Sequence, residues 1–454
     1  MKHPKGSKEP YLWQTLRIVA QPIAYLSSCG ERYGDSFSLR VLGVNSPPVV
    51  FFSHPKAIET IFNAKPGQLE LGKVTHPFLP LVGAESLIME DGDRHKRLRQ
   101  LLMPPLHGDR LHTYGRLISD IAAEEIASWV PEATLSIREY MSAISLEVIL
   151  RVVFGLQPGP RYLQLKPKIE PFLEYVTSPL NSIQFFWPAL QRDLGKWSPW
   201  GRFRRLQREI DDLIYAETAS RRLQKEGSDI LSLLMSARDG EGTGLSDRQL
   251  RDQLITLLLL GHETTASALA WAFYWVHRHP RVLKKLLEEL AGNSDDPLEI
   301  AKLPYLEAVC KEALRVYPIA LISQPRVVKE SIEIENYQFE SGTVLIPCIY
   351  LAHRRRETYP EPLEFKPERF SDRKFSPYEY FPFGGGSRSC IGMALSMFEM
   401  KLVLATVLSK YRLELVDNGE VKPVRRGITF VPSGNFKLKV IDRREVGRAM
   451  VLKV

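Results

Sequence analysis

The sequence predicts a mainly α-helical fold with a minor β portion divided between its two ends. Alternating apolar residues favour strands from Tyr33 to Phe52. The signals from about Pro55 to Pro318 are mostly helical, and short strand-like runs return after them. The last of these runs, residues 427–440, is typical of a hairpin. The proline-rich run from His353 to Pro382 is long for a connection inside a compact domain, so we expect a function there.

The best-defined element is a long helix that begins after Ser246. Ser246 and Gln249 have the spacing of a capping box, and the helix can continue to about His279, just before Pro280. The segment Ile255–Gly261 is apolar on almost every side. Such a segment is typical of a helix that is buried in the centre of a protein.

Two further helices complete the predicted elements. One is expected from about Leu303 to Tyr317, ending before Pro318, and the other from about Ile391 to Tyr411. We therefore expect a single domain over residues 1–454 with two lobes. Its β-rich lobe is expected at about residues 33–60, 319–352 and 425–441, and its helical lobe at about 61–318 and 391–411.

Composition and charge restrict the class of protein. Hydrophobic residues make up 44% and charged residues 25% of the chain, as in ordinary globular proteins. The formal net charge is +8, but the chain lacks the basic, aromatic-interleaved runs of nucleic-acid binders, so no nucleic-acid partner is expected. The apolar segment near the N-terminus is interrupted by Gln14, Arg17 and Gln21. We therefore expect neither a transmembrane anchor nor a signal peptide, and a soluble, cytoplasmic protein, with peripheral membrane contact left open as an alternative.

The four cysteines lack CxxC spacing. Cysteines that are few and widely scattered argue against a disulfide framework or a zinc site and favour a reducing compartment. The residues are Cys29, Cys310, Cys348 and Cys390.

The stretch Phe381–Gly392 (FPFGGGSRSCIG) places one thiol between a glycine-rich loop and a helix. A helix N-terminus favours the thiolate form of Cys390, which is the form that binds metals. Gly384 and its neighbours permit a sharp turn, and Gly392 leaves the first helical turn open to a large, flat partner. Arg388 would supply a cation to an acid on that partner. These features fit an axial ligand of haem, but they also fit a buried, inert cysteine beside a loop.

A signature decides how this stretch is interpreted. Its fixed positions, F-x-x-G-x-R-x-C-x-G, resemble the haem-binding signature of the cytochrome P450 monooxygenases, and the resemblance covers most of the chain after residue 30. It implies the cytochrome P450 fold, a triangular, helix-rich prism with a long central helix over the haem. It also implies haem b as the cofactor, with Cys390 as the axial ligand of its iron. The resemblance also assigns haem-binding or signature positions to other residues of the stretch, which are Phe383, Gly384, Gly386, Arg388 and Gly392.

A second motif, E-A-L-R, lies on the helix predicted before Pro318. Glu312 and Arg315 share one face of that helix, and alone they would form an ordinary surface pair. In the family this pair joins a downstream arginine, here Arg369, and braces the haem loop. The resemblance therefore implies a buried structural network that is needed for folding around haem.

A third motif, G-H-E-T-T, lies midway along the long helix at Gly261–Thr265. A buried Glu263 is costly without partners, and a Thr264 hydroxyl can bond a carbonyl one turn earlier. From the residues alone, a kinked core helix with a solvated Glu263 remains open. The resemblance implies that Glu263 and Thr264 are the catalytic acid–alcohol pair that delivers protons to dioxygen at the haem, with Gly261 against the haem. Leu260 departs from the family's usual Ala or Gly and would narrow the space there.

A fourth motif, H-K-R-L-R, places His95 and Arg99 on one helix face. Alone it would be a basic surface face. The resemblance implies that His95, Arg99 and Arg326 bind the haem propionates.

Apolar residues at positions that line the family's substrate pocket predict a hydrophobic substrate, although each can equally belong to the core. They are Leu87, Ile88, Phe172, Phe185, Phe186, Leu258, Ile319, Ala320, Leu321 and Val431.

The resemblance implies an enzyme that inserts one oxygen atom of O2 into a C–H bond of a hydrophobic substrate. Stretches such as W-S-P-W-G-R-F resemble a cyanobacterial subgroup that acts on long-chain fatty acids, with terpenes and steroids as alternatives. A peroxide-driven or non-redox haem-thiolate enzyme, and a haem sensor or carrier without turnover, are further alternatives.

The chain has no GxGxxG unit and no fused redox domain. Electrons from NAD(P)H are therefore expected through external partners, a ferredoxin and its reductase. An acidic ferredoxin would suit the basic balance of the chain. We expect a monomer.

Overall fold

The computed structural model describes residues 3–41, 47–195, 197–223, 227–293, 295–417, 419–427, 429–434 and 436–444. Helices account for 55% and strands for 11% of the structure, which confirms a mainly α fold with a minor β portion. The described α-helices are α1 (Tyr11–Ala20), α2 (Pro22–Tyr33), α3 (Pro55–Phe62), α4 (Leu79–Val82), α5 (Gly92–Leu102), α6 (Arg110–Ile126), α7 (Ile137–Val148), α8 (Pro160–Thr177), α9 (Pro179–Phe186), α10 (Pro199–Arg221), α11 (Ile230–Ser236), α12 (Asp247–Arg278), α13 (Pro280–Ala291), α14 (Pro297–Ile300), α15 (Pro304–Val316), α16 (Ile349–Ala352), α17 (Arg369–Asp372) and α18 (Met393–Lys410).

The described strands are short. They are β1 (Ser36–Leu39), β2 (Val49–Phe52), β3 (Leu69–Glu70), β4 (Thr134–Ser136), β5 (Arg326–Val328), β6 (Ile332–Ile334), β7 (Tyr337–Phe339), β8 (Val344–Pro347), β9 (Tyr411–Leu415), β10 (Pro423–Arg426), β11 (Thr429–Pro432) and β12 (Lys437–Arg443).

The predicted long helix is α12, and its start is the predicted capping box. The Gln249 backbone N–H donates to Ser246 Oγ at 3.1 Å, and the Ser246 N–H donates to Gln249 Oε1 at 3.0 Å. The helix ends at Arg278, and Pro280 begins the next one. Most of its side chains are buried, as expected for a helix that is apolar on most sides.

The described residues divide into two compact units. The first, which we call the sheet unit, comprises residues 1–75, 91–96 and 311–390. Its five-stranded sheet has the order β1-β2-β8-β5-β3, in which β2 and β8 are parallel and the other neighbours are antiparallel. Its core includes Phe52, Phe62 and Phe381. The proline-rich run from His353 to Pro382 belongs to this unit and, apart from the single-turn α17, is irregular.

The second, which we call the helical unit, comprises residues 76–90, 97–310 and 391–454. In it, α12 packs against α7, α18 and β11, and α18 packs against α6. By length and composition α12 is the one described helix that could cross a membrane, but 72% of its most apolar window is buried inside the structure, as in a core helix.

The predicted tail hairpin over residues 427–440 is wrong. Strand β11 pairs with β10, whereas β12 lies between β9 and β4. The alternating apolar residues of β12, Leu438 and Val440, are buried in that three-stranded sheet, which a two-stranded ribbon would not achieve. Residues 425–441, expected in the β-rich lobe, therefore fall in the helical unit.

Candidate active site

Cys390 lies in the glycine-rich loop of the sheet unit, three residues before α18 begins. Its backbone N–H donates to the Phe383 carbonyl at 2.9 Å, and its side chain is exposed. The other three cysteines are buried, and burial raises the pKa of the Cys310 and Cys348 thiols to about 12. Cys390 is therefore the cysteine that can offer sulfur to a ligand, and the alternative of a buried, inert thiol does not hold for it.

The glycines before Cys390 are required by a close neighbour within the sheet unit. A Cβ added at Gly385 would lie 2.2 Å from Cε2 of Phe62, and one at Gly386 would lie 2.4 Å from the Phe62 carbonyl oxygen. Gly386 also has φ +66°, in the left-handed region that favours glycine. The neighbour that requires glycine at these two positions is therefore Phe62 at the end of α3. Gly384 has φ +68° and more room, since its Cβ would meet Ser323 Oγ at 3.2 Å.

Two arginines and one carboxylate lie close together beside this loop. Arg388 forms an ion pair with Asp91, whose carboxylate also accepts from the Leu71 N–H at 3.1 Å. Arg326 is buried and donates to the Gln324 carbonyl at 2.6 Å. Burial, and then the positive charge of Arg388, lower the pKa of Arg326 to about 10, so it stays charged at neutral pH. Two cations with one carboxylate would stabilise a further anion.

The E-A-L-R pair and Arg369 form a buried network in the sheet unit. Arg315 donates to both carboxylate oxygens of Glu312, at 2.6 and 2.8 Å, and Arg369 Nε donates to Glu312 Oε1 at 2.9 Å. The side chains of Glu312 and Arg315 are fully buried. Arg315 also donates to the carbonyls of His353, Pro362 and Glu364. The network therefore fastens the irregular, proline-rich run to α15, because three of the run's carbonyls accept hydrogen bonds from Arg315.

Glu263 on α12 lies within the helical unit between two arginines. Its carboxylate oxygen is 3.1 Å from Arg138 Nη1 on α7 and 3.5 Å from Arg426 Nε on β10. Burial raises the pKa of Glu263, and the two arginines act in the opposite direction. A solvated glutamate is therefore excluded. Sequence analysis missed both arginines, because neither stands in a motif and each is more than a hundred positions away.

Thr264 makes the predicted bond to its own helix. Its hydroxyl donates to the Leu260 carbonyl at 2.6 Å and approaches the Gly261 carbonyl at 3.3 Å. The helix nevertheless continues without interruption. Gly261 faces the π-helical turn Ile149–Val153, where a Cβ would lie 3.1 Å from Ile149 Cδ1.

Comparison with known proteins identifies the family. The model of the family described as cytochrome P450 matches residues 4–440 of this chain.

The chain belongs to the cytochrome P450 family.

Relatives from Mycobacterium tuberculosis cover almost the whole chain. The protein named cytochrome P450 135B1 is 35% identical over 447 residues, which is 98% of this chain and 92% of the relative. The one named cytochrome P450 135A1 is 34% identical over 453 residues, which is 98% of this chain and 96% of the relative. A solved structure of cyanobacterial CYP120A1 with retinoic acid bound is 23% identical, with a TM-score of 0.84 over 98% of this chain and 100% of that one. The predicted P450 fold is confirmed, and the chain is a P450 monooxygenase by family.

P450 membership implies haem iron and O2 as co-substrate. The residues of the sheet unit fit haem. Cys390 offers an exposed sulfur, and the two positive charges of Arg326 and Arg388 outnumber the single negative charge of Asp91, so one can pair with an acidic group of haem. His95 is buried and Arg99 half-buried, one turn apart on α5. Gly392 is the residue that precedes α18. The haem-binding roles of these residues stay predictions.

The predicted pocket residues of this P450 have varied surroundings. In the helical unit, the Leu87 N–H donates to Gln253 Oε1 of α12 at 3.0 Å, and Ile88 follows in the same segment. Leu258 of α12 and Val431 of β11 are buried. In the sheet unit, Ile319 and Leu321 are buried and Ala320 is half-buried.

The aromatic pocket candidates behave differently. Phe172 and Phe185 pack on Phe203 of α10, with ring centroids 5.8 and 5.3 Å apart. These contacts are those of core residues. The side chain of Phe186 lies outside the described part of the structure.

Proposed function

We propose that this P450 hydroxylates a long-chain fatty acid. The apolar character of the pocket candidates, of which Leu87, Leu258 and Val431 are buried in the helical unit, supports a hydrophobic substrate. The choice of a fatty acid among hydrophobic substrates rests on the resemblance of stretches such as W-S-P-W-G-R-F to the cyanobacterial subgroup. A long alkyl chain that leaves water for such surroundings gains roughly 25 cal/mol for each Å² of buried apolar surface.

Bound haem would supply the activation of O2, with Cys390 as its sulfur ligand. The remaining work falls to the protein. Arg326, Arg388, His95 and Arg99 would neutralise the acidic edge of the group. Glu263 would hold or release a proton at its carboxylate, which burial and the two arginines influence in opposite directions. The Thr264 hydroxyl, already a donor to the Leu260 carbonyl, keeps lone pairs that can accept a hydrogen bond from a water molecule and so position it for proton transfer.

The proton relay is tested by Thr264→Ala. Oxygen and electron consumption should continue, while the yield of hydroxylated product falls and the release of hydrogen peroxide rises. The reason is that proton delivery to the bound oxygen is no longer controlled by the Thr264 hydroxyl. Thr265→Ala is the matched control, since Thr265 is buried and its hydroxyl bonds Ser396 at 3.1 Å. Unchanged coupling in Thr264→Ala would refute the relay role.

Substrate class is tested by titrating the holoenzyme with C12–C18 fatty acids, sesquiterpenes and steroids, followed by product identification. Fatty acids should give the tightest substrate-induced spectral shift and hydroxylated products. A terpenoid acid is the second candidate, because the CYP120A1 structure contains retinoic acid. Turnover of terpenoids with no response to any fatty acid would refute the fatty-acid proposal and identify terpenoids as the substrate class.

Members of the family generally require redox partners. We propose a ferredoxin with its NAD(P)H-dependent reductase, a monomeric enzyme and a cytoplasmic location. The net charge of +8 supports an acidic donor, so turnover at limiting ferredoxin should fall steeply with ionic strength. Turnover that does not depend on salt would count against an electrostatically docked ferredoxin.

A further inference from the structure

The segment between α4 and α5 is fastened to α12 through its backbone. Residues 83–88, which we call the strap, are irregular and include the pocket candidates Leu87 and Ile88. Gln253 of α12 accepts from the Leu87 N–H through Oε1 at 3.0 Å, and its Nε2 donates to the Glu85 carbonyl at 2.6 Å. One amide side chain therefore satisfies a donor and an acceptor that lie two residues apart in the strap.

The chemistry of Gln253 suits this double contact. Its side chain is 1% exposed, so water does not compete for the two bonds. An amide carries both a donor and an acceptor, whereas a carboxylate has acceptors only and would oppose the Glu85 carbonyl. An apolar side chain would leave two buried backbone groups without their partner. The position of the strap is therefore sensitive to the identity of this residue.

Two further contacts join the strap to the same helix. The hydroxyl oxygens of Ser86 and Thr256 lie 2.7 Å apart. The Glu85 N–H donates to Asp252 Oδ2 at 3.0 Å. The Asp252 carboxylate also lies against Gly83, where a Cβ would be 2.2 Å from its oxygens, and Gly83 has φ +88°. The strap is therefore held against α12 along most of its length.

The anchor on α12 is itself fixed by charge. Arg251 Nη1 donates to Asp252 Oδ1 at 2.8 Å. The same guanidinium donates to both carboxylate oxygens of Asp211 on α10, at 2.7 and 2.9 Å. Arg251 and Asp252 are buried, so the bonds are shielded from water. The helix side of the contact is thus rigid, and freedom of movement remains in the strap.

Gln253 lies on the side of α12 that carries the proposed proton relay. Thr264 follows eleven positions later, which is about three helical turns, so the two residues share a face and lie about 16 Å apart along the axis. Leu258, another pocket candidate, lies between them in sequence and is buried. The separation is comparable with the length of a long alkyl chain.

We infer that Gln253 is a positioning residue that sets how long a substrate chain this P450 accepts. By fixing the backbone of Leu87 it fixes one apolar wall of the pocket, without touching the substrate itself. Each methylene group that a ligand buries raises its affinity about fourfold, so a small displacement of that wall changes the preferred chain length. The inference rests on the proposed function in one respect, which is that Leu87 and Ile88 line the substrate pocket.

The test compares Gln253→Met with Gln207→Met. Methionine keeps the length of the side chain and removes both bonds. Gln207 of α10 is the matched control, because it is 2% exposed and donates to the Pro80 and Leu81 carbonyls at 2.9 and 3.2 Å, outside the strap. The two variants therefore lose the same amide and the same kind of bond, at different parts of the segment.

The first measurement is amide hydrogen exchange of the strap without any ligand, by mass spectrometry. Exchange should become about tenfold faster in Gln253→Met, because a buried hydrogen bond that restricts opening is lost. It should stay as in wild type in Gln207→Met.

The second measurement is titration of the holoenzyme with 1-alkylimidazoles from butyl to dodecyl. Imidazole nitrogen binds iron, so the series probes chain length whatever the natural substrate is. The ratio of dodecyl to butyl affinity should change about fourfold or more in Gln253→Met and remain that of wild type in Gln207→Met. If the ratio changes in this way while no fatty acid binds, the fatty-acid proposal fails and the role of Gln253 stands.

Three results would overturn the inference. They are unchanged exchange of the strap in Gln253→Met, an unchanged affinity ratio despite faster exchange, and equal changes of the ratio in the two variants. If Gln253→Met does not fold with haem, Ser86→Ala takes its place, since it removes only the hydroxyl that contacts Thr256. Ser86→Ala should accelerate exchange and shift the ratio, and a Ser86→Ala protein that behaves like wild type would then refute the role of the strap.

Discussion

Arg138 Nη1 lies 3.1 Å from Glu263 Oε1, although the two residues are 125 positions apart in the sequence. Arg426 approaches the same oxygen at 3.5 Å. Glu263 is 5% exposed, and such burial alone would favour its neutral form. The charge state of this carboxylate therefore depends on arginines contributed by a helix and by a strand far from it in sequence.

Replacement of Arg138 should move the pH dependence of the relay. In Arg138→Gln the carboxylate loses a nearby cation, so the pKa of Glu263 rises further. If proton delivery needs the ionised form, the acidic limb of the coupling profile moves to higher pH. The measurement is product formed per electron consumed, as a function of pH. Arg138→Lys should return the profile towards wild type, and Arg412→Gln, at an exposed pair with Glu414, should leave it unchanged. An Arg138→Gln profile that overlays wild type would show that Arg138 has no such effect.

The network around Glu312 should be needed for a stable, haem-containing protein. Arg369→Ala leaves the buried Glu312 with Arg315 as its remaining charged partner, so the loss should stay below the about 3–5 kcal/mol that an uncompensated buried charge costs. Arg373→Ala is the control, because the Arg373–Glu379 pair is partly exposed and such pairs contribute about 0–1 kcal/mol. Denaturant unfolding and the haem content of the purified protein measure both effects. Equal losses in the two variants would contradict the network's structural role.

The contact of Phe62 with the glycine-rich loop before Cys390 predicts that a substitution of Phe62 can restore haem retention in a glycine variant. Gly385→Ala should lower haem retention, because its Cβ would collide with the Phe62 ring, and Phe62→Ala should restore part of that loss. Gly386→Ala should not be rescued, since its Cβ would meet the Phe62 backbone and its φ is positive. Haem titration of the two double variants distinguishes the cases. Rescue of Gly386→Ala by Phe62→Ala would show that the backbone is not the obstacle.

Glu399 on α18 predicts a pH-dependent stability. It is 3% exposed, and burial raises its pKa from 4.5 to about 8, with the Ser145 hydrogen bond acting in the opposite direction. Its contribution is fully present below the unfolded pKa and is lost as pH rises to the folded one, by at most about 1.4 kcal/mol per pH unit. Glu399→Gln should therefore flatten the decline in unfolding free energy between pH 5 and 8, whereas Glu414→Gln should not. Parallel curves for Glu399→Gln and wild type would mean that Glu399 is already ionised in the folded protein.

Local signals predicted the elements that depend on neighbours in sequence. The capping box at Ser246 and Gln249 and the following proline located α12 to within a residue, because capping and termination are interactions within a few positions. The tail was mispredicted for the opposite reason. Strand pairing is set by which partners can bury Leu438 and Val440, and β9 and β4 are supplied from other parts of the chain.

The candidate site divides in the same way. Cys390, Glu312 and Thr264 were recognisable because ligand, ion-pair and helix-hydroxyl chemistry impose fixed short spacings. No such spacing marks the contacts between residues far apart in sequence, which are those of Phe62 with Gly385, Asp91 with Arg388, and Arg138 with Glu263.

The amino-acid sequence by itself determined the family and the mainly helical class, and it singled out Cys390 as the predicted ligand. Only the tertiary structure decided what surrounds them, such as the ring that makes Gly385 necessary and the cations beside the buried glutamate. The physical reason is that a motif records contacts between near neighbours. Burial and charge pairing arise between residues that meet only when the chain has folded.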